Sequence, residues 1–219
     1  MSRISLTFDN GPEPGVTDQV LDALRARGLA ATFFVIGQKL ATPAGRRLAS
    51  RARDEGHKIG NHTFSHSVPL GLTENPDAAE NEIGQTQRLL GDLAPDRLFR
   101  PNGNGRLGPH LLSRRAVSYL AAGGFTCVTW SVLPRDWEEP DSWVERALRE
   151  CSERTWSVVV LHDLPTGAMR RLPDFLDKLG EHETEIRSDF PDDCLPIVRG
   201  RLSAPLKGLL GNVNDPLRL

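Results

Sequence analysis

At 219 residues the chain can bury a sizeable core and reads as one domain. A formal charge of −2 leaves no basic footprint, which argues against nucleic acid as a partner. With 26% charged and 38% hydrophobic residues, and no apolar run near the ~20 residues a membrane span requires, the composition is that of an ordinary globular protein without a membrane partner.

The opening "MSRISLTF" enters a strand pattern at once, without the segments of an export leader, so a cytoplasmic location is expected. Arg3–Asp9 is an apolar run with a polar end. Thr17–Arg27 then sets Val20, Leu21 and Leu24 on one helical face and runs into Gly28, suited to a C-cap. Strands Ala31–Ile36 and Lys58–Asn61 enclose a helix over Pro43–Glu55. A helix over Asp77–Leu93, a strand over Arg97–Pro101, a helix over Leu111–Ala122 and a strand over Thr126–Val132 follow. Ser142, with Glu145 three residues on, reads as a capping box opening Ser142–Glu153. "WSVVVLHD" is the clearest buried strand, Ser157–His162. A helix over Pro173–Leu179 and a weak strand near Leu195–Val198 complete the series, and "KGLLGNVNDPLRL" reads as a loose tail. Cys127, Cys151 and Cys194 are odd in number and widely spaced, which suits a reducing compartment.

Strand–helix alternation of this length predicts a parallel sheet, open or closed into a barrel, with the active site at the carboxyl ends of the strands. Those ends are polar: Asp9-Asn10, then His62 and His66 in "GNHTFSH", Arg100 in "FRPNGNGR", Asp136-Trp137 in "WSVLPRDW", and His162 in "LHD". Two histidines four apart where a strand ends can face one point, and neutral imidazole is a common ligand for zinc and its neighbours. By itself the pair fits a metal site or a structural role equally; convergence of five elements favours a site. His57, His110 and His182 read as surface residues, Trp130, Trp143 and Trp156 as packing, and "DFPDDC" as a solvated acidic turn.

In this order and spacing, "TFDNGP", "HTFSH", "FRP" followed by Gly-Asn, "DW" and "LHD" resemble the five motifs of the polysaccharide deacetylase family, the NodB homology domain or carbohydrate esterase family 4. The resemblance implies a distorted parallel (β/α) barrel of about seven strands, with a catalytic domain over residues 1–202 and a tail over 203–219. It implies a hydrolase removing an N-acyl group, acetyl first, from an amino sugar or glycan-like substrate. Asp9 would be the base acting on water, and Arg100 would orient it and keep it ionised. His162 would be the acid, with Asp136 as its partner. Asn10, His62 and His66 would hold a divalent metal, zinc first. Trp137 and Leu161 would wall the acyl pocket.

Three departures stand out. Asn10 replaces the usual Asp and removes a negative charge from the metal site, leaving open a weakened site, a metal taken only with substrate, or none. In the last case the chain would be a metal-independent amidohydrolase of a small cyclic amide or ureide. "FRPNGNGR" lacks the second Pro and the aromatic of the usual motif, so Asn102 and Gly103 become the nearest candidates for substrate and oxyanion contact. Leu133 stands where an Asp is common.

Overall fold

The computed structural model describes residues 2–211. Six strands, β1 (Arg3–Asp9), β2 (Thr32–Val35), β3 (Lys58–Asn61), β4 (Leu98–Phe99), β5 (Thr126–Cys127) and β6 (Trp156–His162), form a parallel sheet in the order β6-β1-β2-β3-β4-β5. Beyond β5 the chain swings back against β6: Ser131 and Val132 donate to the Val158 carbonyl at 3.1 Å, and Val160 donates to Val132 at 3.0 Å. This bridge curls the sheet into a distorted (β/α) barrel.

Alternation along the strands defines two compartments. Ile4, Leu6 and Phe8 of β1, with Val159 and Leu161 of β6, join an outer core. Against them pack α1 (Val16–Arg25), α3 (Pro43–Asp54), α6 (Trp143–Ser152) and α7 (Leu172–Glu181). Val158 and Val160 face the opposite way, into a second cluster with Phe34, Phe99 and the apolar face of α5 (Arg114–Ala122). Thr7 and Asp9 of β1 share that inward direction, since both bond Arg100.

Several boundaries differ from the sequence reading for identifiable reasons. The helix expected over Asp77–Leu93 opens as a π-helical turn, Glu80–Gly84, continues as α4 (Gln85–Leu90) and ends in a 3₁₀ turn. The Leu111–Ala122 helix starts later because the Ser113 hydroxyl caps it, accepting from Ala116 N at 3.1 Å. Ser142 makes no capping bond; its hydroxyl donates to Glu139 instead. At α1 it is Asp18 that reaches back, to Gly15 N at 2.9 Å. The expected Thr126–Val132 strand shrinks to two residues, and the last expected strand is β8 (Ile197–Val198), antiparallel to β5 and hairpinned with β9 (Arg201–Leu202). The three-residue β7 (Glu185–Arg187), which pairs with the start of β1, was not expected. A short helix, α2 (Gly37–Leu40), also intervenes after β2.

His57 is a core residue rather than a surface one: it is 5% exposed, and its Nδ1 accepts from Ala31 N at 3.1 Å. Of the expected tail, Leu206 and Leu209 are buried and Gly211 N donates to Leu112 O at 2.9 Å; residues 212–219 lie outside the described residues. Among the described residues no helix is long and apolar enough to cross a membrane.

Candidate active site

Parallel register between β1 and β6 sets Asp9 opposite His162, so both side chains emerge at the same rim of the barrel. A cleft of about 350 Å³ opens there, walled by Asp9, Asn10, His62, His66, Trp137 and His162 together with Gly103, Trp130 and Leu133. Every polar strand end singled out in the sequence is at this rim.

Asp9 is 4% exposed, and its Oδ1 accepts from Arg100 Nη1 at 2.8 Å. Arg100 is fully buried. It also donates to the Thr7 hydroxyl and to the carbonyls of Val128 and Thr129, and it lies 4.1 Å over the Phe34 ring. Its charge is therefore paired and hydrogen-bonded, the condition under which a buried guanidinium is tolerated. The same residue's backbone carbonyl accepts from His62 Nδ1 at 2.8 Å. A carbonyl can only accept, so the Nδ1 proton is fixed and His62 Nε2 carries the free lone pair, 3.6 Å from Asp9 Oδ2.

The ring of His66 lies 4.7 Å from that of His62, centroid to centroid. Burial pushes both imidazoles down to about 3, so both are neutral and able to ligate. Asn10 Oδ1 is buried with no hydrogen-bond partner among the described residues, and its backbone is left-handed at φ 73°. Asn10, His62 and His66 line one cleft, and their donor chemistry fits a divalent cation: imidazole is a ligand for zinc, an amide carbonyl suits harder cations, and the unpaired oxygen otherwise costs free energy. His66, Asn104 and Arg135 are further cleft residues with positive φ, so the rim concentrates strained backbone, a mark of functional sites.

Across the cleft, Asp136 is fully buried and grips His162 twice, Oδ1 to the ring Nδ1 and Oδ2 to the backbone N, each at 2.9 Å. Burial weighs most on His162 and opposes its charge. The hydrogen bond and charge of Asp136, with Asp9 and Asp163 nearby, outweigh it and raise the imidazole above its ordinary value. Nδ1 being held, Nε2 is the nitrogen left for a substrate. The edge of Trp137 meets this ring at 4.6 Å, and Arg135, in a bidentate pair with Glu138, lies 5.6 Å over Trp137.

Two expectations are corrected. Leu161 does not wall the pocket: it alternates to the outer core, while Val160, Leu133 and Leu164 line the cleft. Asn102 does not line it either; it is 1% exposed, its amide donates to His66 O at 3.0 Å, and its oxygen accepts from Asn104 N. Gly103 does line it, and a Cβ there would come within 2.3 Å of Trp130. Trp130 and the Arg135–Glu138 pair were not singled out as site residues; only the fold brings them to the rim. His110, expected at the surface, donates from Nε2 to Gly103 O at 2.9 Å and fixes that loop.

A profile of the polysaccharide deacetylase family matches residues 2–119. The chitooligosaccharide deacetylase of Bradyrhizobium sp. (strain ANU 289) is 35% identical over 174 residues, covering 78% of this chain and 75% of that one. The peptidoglycan-N-acetylglucosamine deacetylase of Bacillus cereus is 31% identical over 183 residues, covering 81% of this chain and 62% of the relative. Among solved structures, a family 4 carbohydrate esterase from Streptomyces lividans in complex with acetate superposes with a TM-score of 0.73 at 27% identity, over 90% of this chain and 97% of that one. A family 4 acetyl xylan esterase from Clostridium thermocellum in complex with a cobalt ion gives 0.69 at 25%, over 85% and 87%.

The chain therefore belongs to the polysaccharide deacetylase family, carbohydrate esterase family 4, and has its NodB-like barrel. It is an enzyme of the deacetylase type, a hydrolase of carbon–nitrogen bonds.

Proposed function

We propose that the chain removes the acetyl group from an N-acetylated amino sugar within an oligosaccharide, with Asp9 as general base and His162 as general acid. The observation that carries this reading is a pair of hydrogen bonds flanking one cleft: a carboxylate on an arginine, and an imidazole on a carboxylate. Relatives named for chitooligosaccharide and peptidoglycan N-acetylglucosamine deacetylation support the amino-sugar skeleton.

Asp9, oriented through Oδ1 by Arg100, keeps Oδ2 for a water proton. As that water adds to the acyl carbon, the imidazolium of His162, held charged by Asp136, gives its Nε2 proton to the departing nitrogen. Each proton transfer is worth ~10²–10⁴-fold. His62 Nε2, His66 and Asn10 Oδ1 are the residues that would hold a divalent metal, which when bound supplies Lewis-acid polarisation of the carbonyl and an acidified water. Trp137, Leu133, Val160 and Leu164 give the acyl end of the cleft an apolar wall suited to a methyl group. Gly103, lacking a side chain, lets the Trp130 ring pack against it where both residues line the cleft.

The test is acetate release from N-acetyl chitooligosaccharides by metal-supplemented protein, followed with Asp9→Asn and His162→Ala. Release that both substitutions abolish, and that a chelator abolishes reversibly, supports the reading. Chelator-resistant hydrolysis of a cyclic amide, with no acetate from any acetylated saccharide, overturns it.

A further inference from the structure

The His62–His66 turn is held by its backbone from every side. His62 N donates to Val35 O at 2.9 Å. The carbonyls of Thr63 and Phe64 accept from Gly37 N and Gln38 N, the first amides of α2, each at 2.9 Å. Asn61, at the end of β3, ties the turn to the π-helical segment: its amide donates to Ile83 O at 2.9 Å and its oxygen accepts from Thr63 N at 3.0 Å. The amides of Phe64 and Ser65 point to one carboxylate. Glu82 Oε2 accepts from Phe64 N and Ser65 N, each at 2.9 Å, while Oε1 accepts from the Ser65 hydroxyl at 2.7 Å.

The two imidazoles are not held alike. His62 is oriented through its own ring by the Arg100 carbonyl. For His66, no hydrogen bond to the ring is present among the described residues; only its amide and carbonyl are engaged, by Thr63 and Asn102, at a left-handed φ of 53°. With no hydrogen bond on its ring, the aim of His66 rests on its backbone and on packing against the His62 ring. Glu82 sits in the middle of the π-helical turn, Glu80–Gly84, whose extra residue per turn resets the face a side chain occupies.

We infer that Glu82 is the positioning residue of this site: by taking both free amides of the Phe64–Ser65 step it aims the His66 imidazole at the point shared with His62 and Asn10. The inference rests on the metal reading above, and its test separates the two. Cobalt(II) added to the purified protein should give visible ligand-field bands, and His66→Ala should reduce them to a weaker spectrum. Glu82→Ala should weaken cobalt binding about tenfold or more and shift the spectrum toward that of His66→Ala. Glu82→Gln, whose carbonyl oxygen can still accept both amides, should stay within about threefold of wild type. If Glu82→Ala fails to fold, Ser65→Ala removes one of the three bonds and should move the spectrum in the same direction by less. Wild-type protein whose cobalt spectrum ignores His66→Ala overturns the metal reading and this inference together. A cobalt spectrum sensitive to His66→Ala but unchanged in Glu82→Ala overturns the role of Glu82 alone. Equal losses in Glu82→Ala and Glu82→Gln overturn positioning in favour of charge.

Discussion

Arg100 and Asp9 form a buried ion pair at 2.8 Å in which the arginine is wholly enclosed and the aspartate keeps only a narrow opening to the cleft, and the arginine's own carbonyl fixes the tautomer of His62. One residue thus holds the proposed base by its side chain and a candidate metal ligand by its backbone. Arg100→Met should leave the Asp9 carboxylate buried and uncompensated, at a cost of about 3–5 kcal/mol in stability. A melting curve shifted by only a degree or two would show that the pair is unimportant to the fold.

With His162 as the proposed general acid, the Asp136–His162 pair should govern the alkaline limb. A general acid must carry its proton, so activity should fall as pH rises through the raised His162 value. Asp136→Asn removes the hydrogen bond and charge that raise it, so the limb should move to lower pH and kcat drop by ~10²-fold or more. A limb left in place would assign it to another group.

Placing a charge at position 10 should strengthen the proposed cation site. Asn10→Asp should tighten zinc binding by about tenfold or more, because a unit charge a few ångströms from a cation contributes over ~1.4 kcal/mol even at an effective dielectric near 20. Competition against a chromophoric chelator reads this directly. Equal or weaker affinity would remove Asn10 from the ligand set.

Asp163 links stability to pH. It is fully buried against Gly11, accepts from the Thr17 hydroxyl, and leaves Oδ1 without a hydrogen-bond partner among the described residues. Burial pushes its carboxyl up to about 7, from 3.8. A folded value above the unfolded one means that this group's stabilisation is complete below pH ~4 and is lost as pH rises toward 7. Asp163→Asn can keep the Thr17 bond without the charge. It should be more stable than wild type at pH 8 by on the order of 2 kcal/mol or more, with a smaller difference at pH 4. Denaturant unfolding at the two pH values would measure it, and an unchanged difference would refute it.

Closing the pocket floor should block substrate. In Gly103→Ala the new methyl meets Trp130 within 2.3 Å, so one of the two must move. Turnover of acetylated saccharide should fall at least about tenfold, as expected of ångström-scale displacement in a site. Full activity would place substrate elsewhere.

Much of the barrel is legible because β1 alternates apolar with small polar residues and β6 carries a continuous apolar run, the two ending on Asp9 and His162, and the strand-end rule converts those ends into a candidate site. What the letters hide is direction and distance. The period-two alternation within "VVVLH" already puts Leu161 on the opposite face from His162 and Val160 on the same one; motif order alone obscures this. Glu82 carries no local signature, since its use depends on a π-helical turn that helical periodicity does not announce. Asn102 looks like a substrate contact by proximity, but its amide is consumed within the protein by the His66 carbonyl. His57 looks superficial because its pocket comes from Phe33 and Ala31, elements whose packing sequence spacing does not reveal.

Asp9 and His162 stand on adjacent strands of one ladder, so their separation is set by interstrand spacing, about 4.8 Å from backbone to backbone, and by no loop. Exchange or lengthening of the segments around Gly103–Arg106 and Leu133–Glu138 can therefore reshape the cleft while the spacing of the two residues proposed to move protons stays put. That division makes this rim a convenient chassis for altering acyl or sugar preference.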